Sequence, residues 1–201
     1  MLLGHTLGLL IRPYKEWETI QTEPAKSPKS YLIYLFILSA IPPIAGYIGA
    51  TKVGWSIGDG AVTKLTEAST IPLCILAYFG IITGIVVTGI AIDWMRDTYT
   101  GRKENQLSGI AMAIYITMPL ILLSVVGIYP VIWLGLVTLL IGSGYSAWLL
   151  YSGVPIVFNI PKERGMMFSS AILTFALVMC VVLMITTVII WSVGFQPVFT
   201  N

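Results

Sequence analysis

Five stretches of this chain carry no charged side chain at all: residues 31–50, 71–92, 107–128, 131–151 and 166–194. A bilayer's hydrocarbon core is about 30 Å thick and takes about 20 apolar residues of helix to cross. No water is available there to satisfy open backbone groups, so runs of this kind must close their hydrogen bonds within themselves as helices. The rest of the chain agrees. It is 57% hydrophobic and 10% charged, with a mean hydropathy of +0.90. A soluble domain carries about 25% charged residues, so this chain is too poor in charge to cover a water-facing surface. The expected fold is all-α: a polytopic membrane protein of five transmembrane helices, preceded by an amphipathic interfacial helix. Residues 1–30 form the cytoplasmic N-terminal segment and 31–201 the transmembrane domain.

Five spans put the two termini on opposite sides, and the basic residues set the direction. Arg12, Lys15, Lys26 and Lys29 precede span one, Arg96, Arg102 and Lys103 follow span two, and Lys162 and Arg164 follow span four. Those nine share one side, and only Lys52 and Lys64 lie on the other. Lysine and arginine concentrate on the cytoplasmic side. The N-terminus is therefore expected in the cytoplasm and the C-terminus outside. Met1 to Ile11 lacks a basic leader and a small-x-small cleavage pattern, so it reads as mature chain and not as a signal peptide.

In the N-terminal segment Leu3, Leu7, Leu10, Tyr14 and Trp17 recur at helical spacing and fall on one stripe. Pro13 breaks the run, with a further turn starting at the proline. The segment either lies on the membrane or packs under the bundle. Thr22 to Ser30 is a polar linker. Span one holds Pro42-Pro43, which predicts a kink or a broken helix. In span two Gly80, Gly84 and Thr88 form a small-residue stripe. Such stripes allow close helix contact, more often within the monomer than in a homo-oligomer. In span three Pro119 follows Tyr115 by four residues, and Tyr115 needs a polar partner if buried. Tyr129-Pro130 is the whole connector to span four. Span four loses its helical support at Ser152-Gly153. Pro155 and Pro161 then make a long regular helix improbable before the charged run Lys162, Glu163, Arg164.

Much chemistry is excluded. No charged side chain lies inside a span, which argues against an ion-coupled carrier. Cys74 and Cys180 both sit in apolar runs and read as small buried hydrophobes. One histidine, His5, with two distant thiols makes no zinc site. Asp93 and Asp97 lie four apart, with Arg96 close enough to neutralise them. No phosphate-binding loop, dinucleotide fingerprint or hydrolase elbow is present. A net charge of +2 offers nothing to nucleic acid. No catalytic residue, metal ligand or cofactor is expected.

Three places together resemble the Yip family, the Ypt/Rab-interacting membrane proteins, in its bacterial branch. The first is RPYKEW, with Pro13 and Trp17. The second is Tyr115-x-x-x-Pro119. The third is Gly144-Tyr145, followed by Tyr151-x-Gly153-x-Pro155 and Pro161 with KERG. The resemblance implies five spans and a cytoplasmic N-terminus, in the inner (plasma) membrane of a bacterium. It makes Tyr115, Pro119, Gly144, Tyr145, Tyr151, Gly153, Pro155 and Pro161 the candidate interaction or groove residues. On this reading the protein is a non-catalytic scaffold or adaptor in membrane organisation, in contact with the lipid bilayer and with protein partners on its cytoplasmic face. The competing reading is a small transporter, channel or lipid-handling protein, its path lined by proline-broken helices and tyrosine hydroxyls. An intramembrane enzyme is the third.

Overall fold

In a computed structural model the chain is a helical bundle, described for residues 2–23, 28–56, 60–100 and 107–200. Part of the polar linker, part of the glycine loop and the end of the charged connector fall outside these, with Lys26, Asp59, Arg102, Lys103 and Glu104. Helix α1 (Leu2–Ile11) and α2 (Pro13–Thr22) precede α3 (Pro28–Ser39) and α4 (Ile41–Ile48). Then come α5 (Glu67–Thr100), α6 (Gly109–Leu123), α7 (Ile132–Val157) and α8 (Lys162–Ser192). Five helical segments are long and apolar enough to cross a membrane: Lys29–Val53, Glu67–Tyr99, Gly109–Ile128, Ile132–Val157 and Lys162–Ser192. The five spans read from the sequence are thus present.

Span one is broken where Pro42-Pro43 predicts. Helix α3 stops at Ser39, and α4 starts with Pro42 in its first turn, where a missing N–H is least costly. At the break Tyr78 of α5 donates its hydroxyl to the Phe36 carbonyl at 3.2 Å, and the Cys74 thiol reaches the Pro43 carbonyl at 3.4 Å. Carbonyls loosened by a kink inside a bilayer need such partners. Cys74 is thus a weak donor at a kink as well as a small hydrophobe.

Helix α6 runs through the middle of the bundle. Met112, Ile114, Tyr115 and Met118 have no exposed surface, and α6 packs against α3, α5 and α7. Its start is fixed by Ser108, whose hydroxyl accepts from the Ala111 N–H at 3.2 Å. Asp93 accepts from the Gly109 N–H at 2.9 Å and pairs with Arg96 at 3.1 Å. The expected neutralisation by Arg96 therefore holds for Asp93, and α5 carries both residues past the apolar run. The small-residue stripe is used within the chain: a Cβ on Gly84 would lie 3.0 Å from Leu183 of α8.

One expectation fails. Helix α7 does not stop at Ser152-Gly153 but continues through Pro155 to Val157. A proline this near a helix end removes one of the last backbone bonds and leaves the rest intact. The chain turns instead at Asn159, in the left-handed region at φ +48°, which asparagine tolerates better than most residues. The tail after span five is held by pairing. Phe199–Thr200 (β2) pairs antiparallel with Lys64–Leu65 (β1), and the Thr66 N–H donates to the Val198 carbonyl at 2.9 Å.

Candidate functional site

The N-terminal segment is one structure with the bundle. Helix α1 ends at Ile11 and α2 begins at Pro13, whose ring suits a first helical position. Between them Arg12 leaves the helical conformation (φ −141°, ψ 63°), and the chain folds back into a hairpin. His5 of α1 consequently meets α2 at both ends: Nδ1 lies 2.5 Å from Glu16 and Nε2 3.2 Å from Glu23. The single stripe read from the sequence is thereby divided. Trp17 is fully buried, whereas Leu7, Leu10 and Tyr14 are exposed.

The inward face seats on α3, α6 and α7, and Tyr115 is its centre. The Tyr115 ring is fully buried and meets His5, Trp17 and Tyr31 edge to face, each at 6.2 Å between centroids. Such crossings are favourable for aromatic quadrupoles. The hydroxyls of Thr6 and Tyr34 hydrogen-bond, and Tyr34 also reaches Sδ of Met118 at 3.9 Å. Trp17 Nε1 has no hydrogen-bond partner among the described residues, and the Tyr115 hydroxyl stands beside that of Tyr31.

Helix α7 supplies the other wall. The Tyr145 hydroxyl stands 3.0 Å from the Leu9 carbonyl and 3.1 Å from that of Leu10. Those are last-turn carbonyls of α1, which have no acceptor role left within their own helix. Tyr145 therefore caps α1 from across the bundle. Tyr145 also packs on Trp148 at 5.2 Å, and Trp148 meets Tyr14 at 5.9 Å. Two turns on, a Cβ at Gly153 would lie 2.5 Å from Cε2 of Trp17. Only a glycine admits the indole there.

The candidate residues thus divide into groups. Tyr115, Tyr145 and Gly153 converge on the hairpin. Pro119 is buried within a continuous α6. Tyr151 and Pro155 join α7 to α8 instead. The Tyr151 hydroxyl lies 2.8 Å from that of Ser170, and a Cβ on Gly165 would lie 2.6 Å from Cγ of Pro155. Pro161 is the residue before α8, and its carbonyl accepts from the Gly165 N–H at 2.9 Å. Gly144 has open space where a Cβ would stand and meets none of these.

His5 and its two glutamates were not among the candidates. Glu16 and Glu23 are seven apart, a spacing that returns to the same helical face, but nothing in the sequence announces that α1 folds back onto it. The carboxylates flank the imidazole from opposite sides. Metal ligands would converge on one point, and no group of three metal-ligating side chains does so among the described residues.

This architecture has known relatives. The family model described as the Yip1 domain matches residues 7–193. The chain belongs to the Yip1 family. The match takes in the second half of α1, all of α2 and the five spans, so the tip of the hairpin and the bundle fall within one family unit. The chain is also 34% identical over 194 residues to the inner membrane protein YohC of Escherichia coli K12, covering 96% of this chain and 99% of that protein. The same figures hold for YohC of E. coli O6:H1. No solved structure matches the chain. This member of the Yip1 family is thus an integral, multi-pass membrane protein.

Proposed function

We propose that this Yip1-family protein is a non-catalytic scaffold or adaptor of the bacterial inner membrane, with its N-terminal hairpin on the cytoplasmic side. The single observation behind this reading is where the distinctive side chains go. Tyr115, Tyr145 and Gly153 are taken up in seating the hairpin, and Tyr151 and Pro155 in joining α7 to α8. A chain that uses its special residues to fix one end of a bundle is built to present that end. The face offered there includes Lys15, Glu18, Asp97, Lys162 and Arg164, all exposed. The excess of basic residues at this end supports its placement in the cytoplasm.

The same packing weakens the alternative of a transporter or lipid path. Helices α6 and α7 run unbroken through Pro119 and Pro155, so neither proline opens backbone towards a pathway. The break at Pro42-Pro43 is real, but Tyr78 and Cys74 bond to carbonyls there.

Affinity capture from native membranes tests the proposal. Charge reversal at Lys15, Asp97, Lys162 and Arg164 should remove partners that the parent retains. Partners unchanged by these reversals would overturn the adaptor reading. Purified protein in proteoliposomes should neither scramble lipid nor pass solute, and activity in either assay would favour the alternative.

A further inference from the structure

The docked hairpin runs lengthwise along span four. Trp17 seats on Gly153 near one end of α7, Tyr14 meets Trp148 further in, and Tyr145, at the middle of the helix, reaches the Leu9 and Leu10 carbonyls. Arg12, at the turn between α1 and α2, therefore lies at mid-span depth. Helix length agrees. The ten residues of α2 carry the chain about 15 Å, half of a hydrocarbon core about 30 Å thick. Helix α2 leads on to span one, whose Tyr31 returns to the Tyr115 ring that Trp17 also meets. The hairpin thus enters and leaves by one end of the bundle. Its tip is closed as hydrocarbon requires. The Arg12 N–H donates to the Gly8 carbonyl at 2.7 Å, the Arg12 carbonyl accepts from the Glu16 N–H at 3.0 Å, and Pro13 has no N–H to satisfy. The Arg12 side chain, by contrast, is exposed, and no ion pair among the described residues includes it. The Glu16 carboxylate four residues on is turned to His5. Exposed Leu7 and Ile11 precede Arg12 in α1, and Leu140 and Ile141 are exposed about a turn beyond Tyr145 on span four.

We infer that α1 and α2 form a re-entrant hairpin within the hydrocarbon of one leaflet, in place of the interfacial helix that the sequence suggests, and that Arg12 at its tip draws phospholipid phosphate inward and thins that leaflet beside span four. A charge at this depth is relieved by snorkelling, local thinning of the bilayer and entry of water. Arginine's planar fork suits phosphate, which it binds through two parallel N–H···O bonds. Among the described residues no carboxylate is paired with Arg12 to take the place of that phosphate. Lys15, a turn nearer the basic end of the bundle, is exposed, and its flexible stem takes the ammonium out to the headgroups. The hairpin stops at mid-span, so the other leaflet keeps its thickness and no path crosses the membrane. The inference does not depend on any protein partner.

The test uses the full chain with Cys74→Ala and Cys180→Ala in phosphatidylcholine vesicles, with a fluorophore at Ile11→Cys. Spin labels are carried either on the lipid headgroup or at the end of an acyl chain, and iodide probes access from water. In the parent both lipid labels should quench the fluorophore, because Arg12 brings headgroups to the depth of the acyl ends. Arg12→Leu should abolish headgroup quenching and leave acyl-end quenching intact. Arg12→Lys should retain part of the headgroup quenching. Arg12 is exposed, so helix content and monodispersity should match the parent in both variants. Iodide quenching equal to that of a label at the exposed Lys162→Cys would overturn the re-entrant seat. So would loss of acyl-end quenching in Arg12→Leu, because a shallow hairpin would give that result. A label that no quencher reaches would also overturn it, because a second copy would then cover the tip. Headgroup quenching unchanged by Arg12→Leu, or lost as fully in Arg12→Lys, would overturn the role given to the charge.

Discussion

Adding one methyl group at Gly153 should loosen the N-terminal hairpin, and the same addition at Gly144 should not. At Gly153 the new Cβ would stand 2.5 Å from Cε2, 2.7 Å from Cζ2 and 2.9 Å from Cδ2 of Trp17. The indole cannot swing aside, because it is fully buried and crosses the Tyr115 ring. Overpacking of this sort costs about 1–3 kcal/mol. Alanine in place of glycine within a helix returns about 1 kcal/mol. The net expectation for Gly153→Ala is a loss of about 1 kcal/mol of hairpin docking, rising to about 2 if Trp17 cannot adjust. Each 1.4 kcal/mol is a factor of about ten in the docking equilibrium. At Gly144 no atom lies within 4 Å of the added Cβ, so only the propensity gain applies. Hydrogen exchange of α1 and α2 in nanodiscs reads the difference: Gly153→Ala should exchange roughly three- to thirtyfold faster than the parent, and Gly144→Ala no faster. The loss should be partly relieved in Gly153→Ala with Trp17→Leu, since neighbouring sites are not additive. Equal exchange in the two single alanine variants would refute the close-contact argument.

Other expectations follow from the same contacts. Tyr145→Phe removes the cap on two α1 carbonyls and should cost about 1–2 kcal/mol of docking, seen as faster exchange near Leu9 to Arg12. Tyr151→Phe, whose hydroxyl meets Ser170 of α8, should leave hairpin exchange unchanged. His5→Leu removes the imidazole that holds the half-buried Glu16 carboxylate, so it should destabilise the detergent-solubilised protein more than the double change His5→Leu, Glu16→Gln, measured by thermal unfolding. Truncation after Gln196 removes the Val198 acceptor of Thr66 and should raise exchange around residues 63–69 while leaving the spans as they were.

Much of the bundle is legible in the sequence because the bilayer imposes a single rule, the absence of charge over a fixed length. The break at Pro42-Pro43 and the restart at Pro13 are legible for a similar reason: proline acts on its own backbone, wherever the rest of the chain lies. What could not be read depends on contacts distant along the chain. The stripe of Leu7, Leu10, Tyr14 and Trp17 predicts one face, but the reversal at Arg12 turns Trp17 inward and leaves the others outside. Pro155 signals a helix end only if its lost bond matters, and so close to the terminus of α7 it does not. Tyr145 and Gly153 stood out by spacing, yet their roles come from two backbone carbonyls and an indole about 135 residues earlier. The pairing of β2 with β1 joins segments with no pattern of their own.

In the intact membrane the hairpin should be docked against α7. The most direct measurement is thiol crosslinking in native membranes, in a chain with Cys74→Ala and Cys180→Ala. A short homobifunctional crosslinker should join Tyr14→Cys to Trp148→Cys, whose parent rings lie 5.9 Å apart. It should not join Tyr14→Cys to Trp133→Cys near the other end of α7. Efficient crosslinking of the first pair alone is the predicted result. No crosslink, or equal crosslinking of both pairs, would contradict the docked hairpin and the role assigned to Tyr145 and Gly153.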